Sequence, residues 1–175
     1  MIDPGDVDAY MAAHGPWLYH ATDPDSVATV LEQGLRPGSE LGRHNARGFH
    51  RTRPGHVYIS TLADCHRLQD KRELGKGTIR IEVGELDPRL IDPDENLVQL
   101  FYWGWGFEKD EWVGVAPPVK DPGWVEGPNG EGTLWHWAET TPGFDAPEVT
   151  AKSLLNGQVS HRGTVPAHAL EAFEG

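Results

Sequence analysis

The stretch "WLYHATDPDSVATVLEQGL", residues 17–35, decides the fold class of this chain. Its first six residues are rich in aromatics and too short for a helix, which predicts a strand over 17–22. Asp23 and Pro24 then form a helix-start pair, an N-cap and a first-turn proline. Val27, Val30 and Leu31 recur at i, i+3 and i+4, and Gly34 supplies a left-handed stop. A strand, a capped short helix and a glycine stop therefore make one compact unit. The odd feature is "YHAT": a strand bound for a plain core does not need an imidazole at His20 and a hydroxyl at Thr22 on one face.

A second strand repeats the oddity. "PGHVYIST", residues 54–61, alternates β-branched and polar side chains, so 56–60 reads as a strand with Tyr58 and Ser60 on a common face. "TIRIEV" (78–83) has the cleanest period of two, with Ile79, Ile81 and Val83 opposite Arg80 and Glu82. "GELDPRLIDPDENLVQL" predicts a turn followed by a strand or short helix. Residues 3–14 read as a short helix capped by Asp3, with Pro4 in its first turn and Gly15 at its end. A helix is expected from Thr61 to about Leu74. A further one spans 146–155 with Asp145 as cap, a strand covers 157–165, and "PAHALEAF" (166–173) reads as a closing helical turn. Strands outnumber helices and turns separate them, which predicts α+β architecture with mainly antiparallel pairing.

Bulk properties narrow the function classes. The chain has 175 residues, one domain's worth, with 21 Gly and 14 Pro. No internal repeat appears, so 1–175 reads as a single domain. The net charge of −12 makes it a poor general binder of polyanions, so nucleic acid is not the expected partner. One cysteine, Cys65, excludes an internal disulfide. Its neighbour His66 points about 100° away on a helix, so the two do not form a thiol–imidazole pair. No apolar run reaches the roughly 18 residues of a membrane span, and "MIDPGDVDAY" lacks a basic signal head, so the expectation is a soluble, cytoplasmic protein without membrane contact.

Most familiar chemistries lack their residues. There is no GxxxxGK[ST] loop, no GxGxxG after a strand, no HExxH and no CxxC. His44, His50 and His56 are six apart, which suits neither a helical nor a hairpin ligand set, so no metal is expected. Two regions depart from the bulk character. Residues 36–56 form a loop with five arginines, Arg36, Arg43, Arg47, Arg51 and Arg53, against one acid, Glu40. It reads either as a solvated loop or as a holder of phosphate or pyrophosphate. Residues 101–145 hold six of the seven tryptophans. Core filling is the plainer reading of them, and a stacking surface for a base or sugar the alternative.

Taken in order, "YHAT…VLEQGL", "HVYIST", "GTIRIEV" leading to "DPDEN", and "RGTVP" resemble the ADP-ribosyltransferase superfamily in its histidine–tyrosine–acid branch. That branch includes the rifampin ADP-ribosyltransferases, with RNA 2′-phosphotransferases as relatives. The likeness covers roughly residues 17–100 and 153–170. It implies two small antiparallel sheets around a cleft that binds NAD, flanked by short helices, with the Trp-rich stretch of about 101–137 as an insertion. It also implies an enzyme that transfers ADP-ribose to a small-molecule or protein acceptor and releases nicotinamide, as toxin-like members do, with NAD as substrate. Carried over residue by residue, His20 and Thr22 would hold ribose hydroxyls, Tyr58 would stack on nicotinamide and Ser60 would reach its carboxamide. Asp94 would be the acid, with Asp92 close behind, and Arg51 and Arg53 would serve the pyrophosphate. Two departures stand out. Ala21 replaces a frequent glycine. Where other branches place a late-strand glutamate, this chain has Gln158 or His161, neither of which is an acid. Two alternatives remain: RNA 2′-phosphate transfer to NAD, kept by Arg43, Arg47, Arg51 and Arg53, and a non-enzymatic nucleotide-binding module.

Overall fold

The computed structural model describes residues 2–42, 53–63, 77–94 and 144–174. Helix α1 (Pro4–His14) starts where Asp3 accepts a bond from the Gly5 amide at 2.8 Å and stops at Gly15, whose φ of 85° ends the helical turn. Strand β1 spans Trp17–Thr22. The following helix opens as a tight 3-10 turn, Pro24–Ser26, and becomes α-helical only over α2 (Val27–Gln33). The remaining elements are β2 (His56–Ser60), β3 (Gly77–Glu82), β4 (Ile91–Pro93), α3 (Pro147–Asn156), β5 (Gln158–Arg162) and β6 (Leu170–Phe173). The chain is α+β, and these strands form one antiparallel sheet in the order β4-β5-β2-β1-β3-β6.

One face of that sheet makes the core. Leu18 opposes Ile81 across β1 and β3, and Ile59 opposes Val159 across β2 and β5. Val7 and Tyr10 of α1 and Leu154 of α3 join these residues in a single buried cluster. Tyr10 satisfies its buried hydroxyl by donating to the Trp17 carbonyl at 2.9 Å. The opposite face carries the other half of each alternation: Tyr19, Arg80 and Glu171 on the β1–β3–β6 side, and Tyr58, Ser160 and Asp92 on the β2–β5–β4 side.

Four expectations need correction. In place of two sheets, the described strands form a single one. It is nonetheless weakly joined in the middle, where β1 and β2 share only the register pair Tyr19–Ser60, whereas every residue of β1 pairs with β3. The closing segment 166–173 is only briefly helical, at Ala167–Ala169, before it becomes β6. Eight residues do not separate a period of 3.6 from one of 2, and the open edge of β3 supplies backbone partners that a lone helical turn lacks. Asp145 does not cap α3, whose N-cap is Ala146; its carboxylate binds Arg53 instead, at 3.1 Å. Thr61 does not open a helix. Its amide and hydroxyl both donate to the Gly157 carbonyl, at 2.8 and 3.2 Å, tying the end of β2 to the turn before β5. The rest of the helix expected to Leu74, Cys65 and His66 included, lies outside the described residues, as does the Trp-rich stretch. Among the described residues, no helix is long and apolar enough to cross a membrane.

Candidate functional site

The weak join between β1 and β2 is where His20 sits. Beyond the Tyr19–Ser60 pair the ladder stops, and the carbonyl of Tyr58 is met by the His20 ring, Nδ1 to O at 2.8 Å. A carbonyl oxygen only accepts, so Nδ1 carries the proton. Burial pushes the His20 pKa below the ordinary 6.5, and the bond to Tyr58 pulls it only partly back, so the ring is neutral at pH 7. A neutral ring protonated at Nδ1 presents a bare Nε2, which is a hydrogen-bond acceptor. Among the described residues Nε2 has no partner.

Pairing register places the other candidates. Tyr19 and Ser60 are directly opposed, so their side chains rise on the same face, and Tyr58 shares it. His20 and Thr22 start from the other face, the one that carries Ile79. The two co-facial pairs read from the sequence thus lie on opposite sides of the sheet, and the His20–Tyr58 bond connects them across the gap in the ladder. Along the Tyr58 face, one row crosses three strands, Tyr58–Ser160–Asp92. A second pairs Ser60 with Gln158 across β2 and β5, while β4 ends at Pro93 and the Asp94 amide turns to Ser153 Oγ at 3.1 Å. Asp94 is buried at 3% exposure.

Arg53 covers this polar face. Its side chain is 3% exposed, and its guanidinium donates to Asp145 Oδ1 at 3.1 Å, the Pro93 carbonyl at 2.7 Å and Ser160 Oγ at 3.2 Å. The guanidinium also lies over the Phe144 ring, 5.3 Å from its centroid. The Arg53 amide donates to the Tyr58 hydroxyl at 2.8 Å. A guanidinium so engaged ties the loop to β4 and β5. To bind a pyrophosphate it would first have to release these partners, and this placement does not support that role for it. Arg51, the companion candidate, lies outside the described residues.

Asp92 is equally engaged. Arg162 grips it with Nε to Oδ2 at 3.1 Å and Nη2 to Oδ1 at 2.9 Å, and His56 Nε2 lies 3.2 Å from Oδ2. Burial works to raise its pKa. The hydrogen bonds from His56 and Arg162, with the charges of Arg162 and Arg53, outweigh burial and hold it at about 2. Asp92 is therefore a fixed structural anion. His161, the other late-strand candidate, points into the core at 1% exposure, with Nδ1 3.3 Å from the Gly163 carbonyl. It shares a face with Val57 and Ile91, away from Tyr58. Gln158 is the late-strand residue that faces Ser60.

The residues the sequence reading passed over are Ser160, Arg162 and Ser153, while Asp145 reads from the sequence only as a helix cap. The alternation in "QVSHR" (158–162) does signal the first two, since Gln158, Ser160 and Arg162 must share a face. Nothing local marks Ser153 or Asp145, whose partners lie 59 and 92 residues away. Among the described residues no group of three or more His, Cys, Asp or Glu is placed to hold a metal ion. No family model, no curated protein and no solved structure matches the chain.

Proposed function

We propose that this chain is an NAD-dependent ADP-ribosyltransferase of the histidine–tyrosine–acid type, with NAD bound at the gap between β1 and β2. The observation that carries the reading is the His20–Tyr58 bond at a place where two adjacent strands stop pairing. A strand gap is a place where a ligand can meet two strands at once. The protonated Nδ1 is committed to the protein, so Nε2 is left to accept a bond from a ribose hydroxyl. Thr22 follows on the His20 side of the sheet and adds a second hydroxyl contact there, and the ligand meets the opposite face through the gap in the ladder. Tyr58, with its hydroxyl anchored by the Arg53 amide, offers its ring for stacking on nicotinamide, and Ser60, whose buried hydroxyl donates to the Gly157 carbonyl at 3.4 Å and accepts from the Leu62 amide at 3.0 Å, exchanges the longer of these bonds for the carboxamide.

In the reaction, the bond between ribose C1′ and the nicotinamide nitrogen breaks and nicotinamide leaves with the electron pair. An oxocarbenium ion develops, the acceptor's nucleophilic atom donates a pair to C1′, and the acceptor's proton passes to solvent. A fixed carboxylate favours the cationic sugar. Asp94, buried just past the end of β4, supplies it. Gln158 is neutral, and it orients by hydrogen bonding only. The net charge of −12 favours a small-molecule or protein acceptor. The RNA 2′-phosphate alternative draws on four arginines. Arg43, Arg47 and Arg51 lie outside the described residues, and Arg53 is bonded internally, so no described observation favours it.

The test is NAD binding by calorimetry together with chromatographic detection of released nicotinamide. His20→Ala should weaken NAD binding by about 1–3 kcal/mol, the cost of losing a buried hydrogen-bonding group. Asp94→Asn should lower turnover while leaving NAD affinity within a few-fold, because the charge acts mainly in the transition state. Absence of NAD binding at millimolar ligand overturns the reading. Nicotinamide release that survives Asp94→Asn but not Gln158→Ala moves the chemistry to the late strand.

A further inference from the structure

The peptide unit that joins Pro93 to Asp94 is held at both of its polar atoms. Its carbonyl oxygen accepts from Arg53 Nη2 at 2.7 Å and, more weakly, from Ser160 Oγ at 3.4 Å. Its amide, the Asp94 N–H, donates to Ser153 Oγ at 3.1 Å. The Ser153 hydroxyl in turn donates to the Gln158 carbonyl. A peptide plane is rigid, so anchoring its oxygen on one side and its N–H on the other stops it swinging. The Asp94 N and Cα, from which its side chain departs, are thereby fixed. β4 is only three residues long and stands at the sheet edge, so strand pairing alone would leave this end loose.

The same arginine reaches the other side of the site. The Arg53 amide donates to the Tyr58 hydroxyl at 2.8 Å. One residue therefore touches the phenol through its backbone and the Pro93–Asp94 peptide through its side chain. Its own position is over-determined by Asp145 at 3.1 Å and the Phe144 ring at 5.3 Å. A phenol that accepts from the Arg53 amide keeps its own proton to donate elsewhere.

We infer that Arg53 is a positioning residue that fixes Asp94 relative to Tyr58, with Ser153 as the second anchor of the same peptide. The geometric claim stands on the contacts alone; its catalytic consequence rests on the proposed transferase reading. Arg53 as a direct ligand of the pyrophosphate is the rival, and the two differ in what a substitution changes. A pyrophosphate ligand acts on NAD affinity. A positioning residue acts on turnover, since a misplacement of about 1 Å far from the chemistry costs about 100-fold in rate.

The experiment uses the full chain with Arg53→Met, Arg53→Lys and Ser153→Ala. In the absence of ligand, NMR reads the Asp94 amide and the Tyr58 ring resonances. Arg53→Met should move both. Arg53→Lys, which keeps the charge but offers one donor point for several acceptors, should move both less. Ser153→Ala should move the Asp94 amide and leave the Tyr58 ring unchanged, a pattern that general destabilisation does not produce. With NAD, kcat should fall about 100-fold in Arg53→Met with KM within about three-fold, and Arg53→Lys should recover part of it. Folded Arg53→Met or Arg53→Lys protein with unmoved Asp94 and Tyr58 resonances overturns the inference. So does a loss confined to KM, which assigns Arg53 to the pyrophosphate. Should Arg53→Met not fold, Arg53→Lys and Ser153→Ala decide by the same resonances. If the wild type releases no nicotinamide, the transferase reading fails, and the NMR pattern alone confirms or overturns the positioning.

Discussion

Replacing Asp92 with asparagine isolates the ion-pair network beside the site. Asp92 is 1% exposed, and its two carboxylate oxygens receive Arg162 and His56. Its carboxyl is held at about 2, against an ordinary value of 3.8. One pKa unit corresponds to 1.36 kcal/mol, so the folded state favours the ionised form by about 2 kcal/mol relative to the unfolded chain. Arg162 is 53% accessible, so water screens its share and the figure is an upper estimate. The sign follows from the direction of the shift. A depressed folded pKa gives stability that is complete above about pH 4 and is lost as pH falls toward 2. Asparagine removes the charge at every pH and turns N–H donors toward a guanidinium that has no acceptors. Urea unfolding at pH 7 should show Asp92→Asn less stable by about 2 kcal/mol, and the gap should close below pH 4 as the wild-type carboxyl protonates. A gap that is constant from pH 7 to pH 2.5 would refute the reasoning, because it would locate the loss in packing and not in charge.

Two more outcomes follow from particular contacts. His161 is buried, and burial lowers its pKa from 6.5 more than the Gly163 carbonyl and the Asp92 charge raise it. The folded chain therefore resists its protonation, so stability present above pH 6.5 is lost below it. His20 shifts in the same direction. His161→Phe should flatten the fall of the urea midpoint between pH 7 and pH 5, and a fall as steep as in the wild type counts against the assignment. Gly34 has φ +87°, and a Cβ there would lie 2.6 Å from the Val165 carbonyl oxygen and 2.9 Å from Thr164 Cγ2. Gly34→Ala should thus cost about 2 kcal/mol or more, strain and clash together. Gly55→Ala, with φ +75° but nothing within 4 Å, should cost about half as much. Equal costs in thermal melts would remove the close approach as the cause.

The sequence by itself determined the local elements. Asp3 and Pro4 mark the start of α1, and Gly15 and Gly34 mark stops that the backbone dihedrals reproduce. The alternation in "TIRIEV" matches a strand with Ile79 and Ile81 fully buried and Arg80 at the surface. These features are legible because caps, stops and periods are properties of neighbouring residues. Only the tertiary structure decided how the pieces meet. β6 is a strand because β3 has an edge to fill, and a seven-residue helix face reads the same whichever sheet it covers. The candidate site divides the same way. That Tyr58 shares a face with Ser60 follows from a period of two. That Gln158 faces Ser60, that His20 reaches the Tyr58 carbonyl, and that Arg53 turns inward all depend on strand order and register. Those are set by which hydrophobic faces bury together. An arginine in a glycine-rich loop looks destined for solvent or a phosphate until the carboxylate 92 residues later arrives beside it.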